Sequence, residues 1–154
     1  MGLNPDGDHA AYMREALRQA ERALEAGEVP VGAVIVLGGE IVGRGGNEVI
    51  AASDPTAHAE IIALRQAAHW LRNYRLNGAD VYVTVEPCVM CAGAMVQARV
   101  KRLFYGTTDP KAGAVDSLYK ILGDDRFNHR VEVTAGILEE ESRALLGSFF
   151  RGRR

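Results

Sequence analysis

Apolar residues recur along the chain in two rhythms. Beyond Asp8, the residues Met13, Ala16, Leu17, Ala20 and Leu24 fall at helical spacing and Gly27 closes the run, which predicts an amphipathic helix. A continuous apolar stretch from Val31 to Leu37, a Gly38-Gly39 pair and a shorter stretch at Ile41-Val42 read as a β-hairpin. A polar loop from Asn47 to Thr56 leads into a second helix with Ile61, Leu64, Ala68 and Leu71 on one face. Asp80 to Val85 alternates, with Val81, Val83 and Val85 to one side, and predicts a strand. Pro87 then suits the first turn of a third helix. Further strands are predicted at Val100 to Tyr105 and Arg130 to Thr134, and a last helix at Leu138 to Arg151. The connection from Gly106 to His129 is long, is predicted to hold a short helix around Leu118 to Leu122, and has the character of a binding loop.

The order α-β-β-α-β-α-β-loop-β-α predicts an α/β fold, a mixed sheet covered by helices on both faces. No repeat or linker divides residues 1–154, so one domain is expected. The 154 residues are 47% hydrophobic and 25% charged, an ordinary globular composition. A chain of that size typically buries ~70% of its unfolded surface without disulfides. No apolar run approaches the ~18 residues of a membrane span. The opening places Asp6 and Asp8 where a secretory signal would be basic and then apolar, so a cytoplasmic protein is expected. The net charge of -2 offers no general attraction for a polyanion. Any such partner has to meet local patches, and these are mostly Arg.

The candidate chemistry sits at two predicted helix starts. Cys88 and Cys91 are the chain's 2 cysteines, too few for a disulfide scaffold. At i and i+3 on a first turn both thiols project to one side, where the positive helix end favours thiolates. That arrangement suits zinc and thioredoxin-like redox chemistry about equally. His58-Ala59-Glu60 adds a third donor, and three protein ligands with an open fourth position for water is the pattern of a catalytic zinc. Glu60 does not share a face with His58 in mid-helix, but at a first turn both reach a pocket off the helix end. There Glu60 can move a proton from a water that zinc has made nucleophilic. Against this stands the plainer reading of a capping His, a first-turn Glu complementing the helix dipole, and two buried thiols.

The pairing of His58-x-Glu60 with Pro87-Cys88-x-x-Cys91 is the signature of the zinc nucleoside and nucleobase deaminases. Asp54-Pro55-Thr56-Ala57-His58-Ala59-Glu60, Pro87-Cys88-Val89-Met90-Cys91-Ala92-Gly93-Ala94-Met95, Asn128-His129-Arg130-Val131-Glu132 and Phe149-Phe150-Arg151 closely resemble the bacterial tRNA-specific adenosine deaminase family. The resemblance runs over nearly the whole chain, and Gly45-Gly46 departs from it where many members carry bulkier residues. It implies a three-layer α/β/α, cytidine deaminase-like fold with a five-stranded mixed sheet, and a homodimer. It implies one Zn2+ per subunit held by His58, Cys88 and Cys91, with Glu60 as proton shuttle. The implied substrate is tRNA, whose wobble adenosine in the anticodon loop becomes inosine. Asn47 matches a base-contacting residue, although a turn residue after two glycines is its plainer reading. The Ala59 amide is expected at the purine edge, Val29 and Pro30 as pocket walls, and Asp109 and Lys111 near the sugar and phosphates. Phe150 and Arg151 are expected against the RNA. Adjacent helical positions point about 100° apart, so only one of Phe149 and Phe150 is expected to be buried. Two alternatives remain: a free cytosine, cytidine or guanine deaminase on the same fold, and a CxxC redox or structural zinc module.

Overall fold

In the middle of the chain Val81 and Val83 point to one side of their strand and Tyr82 to the other, and all three are fully buried. A strand buried on both faces needs a layer of helices above and below it. A computed structural model, which describes residues 8–152, supplies both. Its elements are α1 (His9–Glu25), β1 (Gly32–Leu37), β2 (Glu40–Gly46), α2 (Ala59–Leu71), β3 (Asp80–Val85), α3 (Val89–Ala98), β4 (Arg102–Thr107), β5 (Glu132–Ala135) and α4 (Glu139–Arg151). The 5-stranded sheet has the order β2-β1-β3-β4-β5. β1 runs antiparallel to β2 and β3, whereas β3, β4 and β5 are parallel.

Side-chain alternation sorts the core into two layers. Ala33, Ile35, Val81, Val83, Leu103 and Tyr105 face α2 and α3. Val34, Val36, Tyr82 and Phe104 face α1, with Tyr82 and Phe104 stacked at 4.6 Å. His9 Nδ1 bonds the Tyr82 hydroxyl at 2.6 Å, which satisfies a polar atom in that layer. At the foot of the parallel pair Arg102 Nη2 lies 2.6 Å from Asp80 Oδ2, across the register that sets Asp80 beside Arg102.

The β1–β2 hairpin turns at Gly38 and Gly39, with φ of 60° and 80°, the conformation a two-residue turn of this hand requires. β2 extends to Gly46, well past the predicted Ile41-Val42, because its glycines hide it from strand propensity. They are there for contact. A Cβ on Gly45 would lie 2.5 Å from the Ala59 carbonyl oxygen, and one on Gly43 would lie 2.3 Å from that of Ala63. So α2 seats its backbone directly on β2.

The other elements stand near their expected places, with three shifts. β4 begins at Arg102 rather than Val100, because Val100 and Lys101 bond the α3 terminus and Ala79. α3 begins at Val89 with Cys88 as its cap, so Pro87 precedes the helix instead of opening it. The short helix expected at Leu118 to Leu122 is a 3-10 turn at Ile121–Gly123. The Ile121 amide bonds the Ala114 carbonyl at 3.1 Å instead of a carbonyl one helical turn back, so no helical turn closes over residues 118–120.

Gly45→Ala forces α2 away from β2 and is expected to cost about 1–3 kcal/mol, lowering Tm by roughly 3–10 °C. Thermal unfolding checks this. An unchanged Tm would mean that α2 does not depend on the close contact.

Candidate active site

Two helices start at the same place. His58 caps α2 and Cys88 caps α3, each with extended backbone, at φ -74°, ψ 153° and φ -76°, ψ 178°. A cap stands at the positive end of its helix, where first-turn amides lack intrahelical partners. Cys91 follows in the first turn of α3 and is buried. His58 Nδ1 is 3.6 Å from Cys88 Sγ and 3.6 Å from Cys91 Sγ. A tetrahedral zinc with bonds of ~2.3 Å to sulfur and ~2.0 Å to nitrogen needs such atoms ~3.5 Å apart, so the donor set fits. All three donor atoms lie within 4.8 Å of one another, and His58 and Cys88 are only half-buried, leaving one side open.

The hydrogen bond from Cys91 holds the Cys88 thiol down to about 5 against the effect of burial. The same bond, together with burial, pushes the Cys91 thiol up. The remaining proton therefore sits on Cys91, and a cation held by both sulfurs would displace it. Glu60, in the first turn of α2, is 4% exposed. Burial raises its carboxyl to about 7, Cys88 adds to the rise, and His58 and Cys91 oppose it. A carboxyl group held near neutrality can both take and give a proton.

A cavity of about 330 Å³ opens on this corner. It is lined by Val29, Val31, Asn47, Val49, His58, Ala59, Glu60, Val85, Glu86, Cys88, Asp109 and Ala112. The structure thus brings together Val29, Asn47, His58, Ala59, Glu60, Cys88 and Asp109 from the expected residues, with Cys91 behind them. Pro30 does not line the cavity. The Val31 amide bonds the Val29 carbonyl at 2.9 Å, a tight turn that aims both valines at the cavity and buries Pro30 away from it. Asn47 lines the cavity and also braces it, with Nδ2 donating to the Val29 carbonyl and Oδ1 accepting from the Val49 amide, both at 3.4 Å. Asp109 Oδ1 accepts from the amides of Lys111 and Ala112, while Lys111 itself is exposed outside the lining. On α4 Phe149 is 8% exposed and Phe150 60%, so Phe150 is the free member of the pair. Arg151 is exposed, and Arg153 and Arg154 lie outside the described residues.

Two buried acids at this site escape a reading of the sequence. Glu28 accepts from the amides of Ile50 and Ala51 at 3.1 and 2.9 Å, and so ties down the loop after Asn47. Glu86 lines the cavity and binds the segment that carries Asp109. Burial pushes its carboxyl up, but bonds from Ser117, Asp116 and Asp109 hold it down to about 2. Neither has a local signature, because their partners are main-chain amides more than 20 residues away. The Glu-Pro-Cys run at a strand end was the one available hint.

Fold and donor set together are those of a deaminase, and the MafB19-like deaminase family model matches residues 7–154. Among curated relatives, the tRNA-specific adenosine deaminase of Haemophilus influenzae is 51% identical over 92% of this chain and 83% of its own length. That of Bacillus subtilis is 47% identical over 91% of this chain and 87% of its own. A structure from studies of A-to-I editing by tRNA:A34 deaminases at the wobble position superposes with a TM-score of 0.85 at 46% identity, over 88% of this chain and 98% of that one. The chain belongs to the tRNA-specific adenosine deaminase family.

Elemental analysis of purified protein is expected to give one zinc per chain. His58→Ala and Cys88→Ser are expected to lose most of it, since two remaining donors make a poor site. Full zinc in both variants would place the metal elsewhere.

Proposed function

We propose that the protein converts adenosine at the wobble position of a tRNA anticodon to inosine, with water consumed and ammonia released. The observation that carries this reading is the buried Glu60 beside the His58–Cys88–Cys91 corner, at the floor of a cavity. The names of the relatives support the substrate. His58, Cys88 and Cys91 would hold the zinc, which when bound would lower the pKa of the attacking water to near neutrality.

The chain's own residues do the rest. Glu60 takes a proton from the attacking water and passes it to purine N1 as C6 becomes tetrahedral. A second proton then travels through Glu60 to the amino group, which leaves as ammonia while the C6 oxygen becomes the inosine carbonyl. The Ala59 amide, at the positive start of α2, and the Asn47 side chain meet the purine edge. The valine walls at 29, 31, 49 and 85 exclude water from the base. Entering the cavity requires the nucleotide to leave its stack, and in this reading Phe150 and Arg151 hold its neighbours by stacking and phosphate contact.

The partner in this reading is tRNA, and the location the cytoplasm, on the strength of the relatives' names. A homodimer completes the reading. It is supported by an apolar furrow between α2 and α3, lined by residues including Ile61, Leu64, Leu76 and Ala94.

Glu60→Ala should keep zinc and tRNA affinity while turnover on an anticodon stem-loop falls by about 10²–10⁴, the usual contribution of a positioned acid–base. The same assay on free adenosine, cytidine and guanine separates this function from small-molecule deamination. Turnover in Glu60→Ala near the wild-type value would remove the carboxylate from the mechanism. For the α4 pair, Phe150→Ala should weaken RNA binding by about 1–3 kcal/mol with Tm unchanged. Phe149→Ala should lower Tm instead, because it empties a buried site. Equal RNA affinity in wild type and Phe150→Ala would leave the exposed ring without a role in binding.

A further inference from the structure

Glu86 is a buried acid for which the reaction has no task. It is 3% exposed and stands at the end of β3, two positions before Cys88. Its carboxylate is filled by the segment that follows β4. Oε2 accepts from the amides of Val115, Asp116 and Ser117 at 3.1, 2.8 and 2.9 Å. Oε1 accepts from the Asp109 amide at 3.0 Å and from Ser117 Oγ at 2.5 Å. A carboxylate offers about four acceptor sites, so none is left for substrate. The approach is close: a Cβ on Gly113 would lie 2.3 Å from the Glu86 carboxyl carbon. Residues 109–117 form neither helix nor strand. They wrap around one charge, and two of the cavity-lining residues, Asp109 and Ala112, ride on them.

We propose that Glu86 is a positioning residue for substrate, holding residues 109–117, and through them Asp109, as a fixed wall of the cavity. It acts on binding and not on chemistry: the donors and Glu60 stand at the starts of α2 and α3, and the segment meets that corner through the Ala114 amide on the Pro87 carbonyl at 2.9 Å, a bond that does not involve the Glu86 carboxylate. The inference rests on the tRNA reading above.

The isosteric change Glu86→Gln tests it sharply. Its amide keeps one acceptor oxygen and gains an NH2 that cannot face backbone amides. The better orientation leaves oxygen at the three amides of residues 115–117 and sets the NH2 toward Ser117 Oγ, which can accept. The Asp109 amide then loses its partner. The Asp109 end of the wall is released while its far end stays held.

Steady-state kinetics on a wobble-adenosine stem-loop, zinc content and amide hydrogen exchange are measured on the whole protein and both variants. For Glu86→Gln a rise in KM of roughly tenfold is expected, the equivalent of one lost charged hydrogen bond. kcat should stay within about threefold, zinc should stay at the wild-type level, and exchange at residues 109–112 should quicken. Ser117→Ala removes a single donor and should move KM the same way by less, which keeps the test decisive if the glutamine variant fails to fold. Loss of kcat or of zinc at constant KM would overturn the proposal, since a merely structural acid acts that way. Faster exchange at 109–112 with KM unmoved would also overturn it. Absence of turnover by the wild-type protein on the stem-loop would instead remove the tRNA reading and this inference together.

Discussion

The depth at which α2 sits on β2 governs the rest of the site. Without side chains at Gly43 and Gly45, the helix backbone rests on the strand, and its carbonyls at Ala59 and Ala63 take the space a Cβ would fill. That contact sets the height of the first turn, and with it His58 and Glu60. α3 meets the same corner from the neighbouring parallel crossover, so the two positive helix ends converge on one point. Convergence of that kind favours anions and thiolates. The two sulfurs nevertheless differ, one held low in pKa and the other high, because of the hydrogen bond between them.

Much of this was legible in the sequence because it depends on local pattern. The helix starts at His58 and Cys88, and the alternation at Val81, Val83 and Val85, are short-range features, and the His-x-Glu and Pro-Cys-x-x-Cys spacing adds chemistry to them. The opposed fates of Phe149 and Phe150 also follow from helical geometry alone. Features with distant causes were not legible. The full length of β2 is masked by glycines that serve a helix packed against it. The turn at Pro30 comes from one main-chain bond between its neighbours. The helix missing at residues 118–120 reflects a segment wrapped on Glu86, far upstream in the chain, with the Ile121 amide turned to the Ala114 carbonyl. Propensity sees the residue and not its partner.

The site thus has a rigid part and a wrapped part. The corner that carries donors and acid is built from helix ends on a buried sheet. The walls are irregular segments, and each winds about a single carboxylate, Glu28 on one loop and Glu86 on the other. A charge bonded to several amides holds irregular backbone more firmly than apolar contact alone, since each charge-assisted bond is stronger than a neutral one. The chain's overall charge of -2 says nothing of this, because these carboxylates are spent inside the protein.

His58 and Cys88 are 30 residues apart in the chain, and His58 and Cys91 are 33. Between them runs β3, which joins the sheet only by pairing with β1 on one side and β4 on the other. An unfolded or half-folded chain therefore keeps the imidazole away from the sulfurs, and the donors meet only once the central strands are in register. Ion affinity at this corner would then be thermodynamically linked to folding: every increment of binding free energy gained by the assembled donors would be added to the stability of the native state.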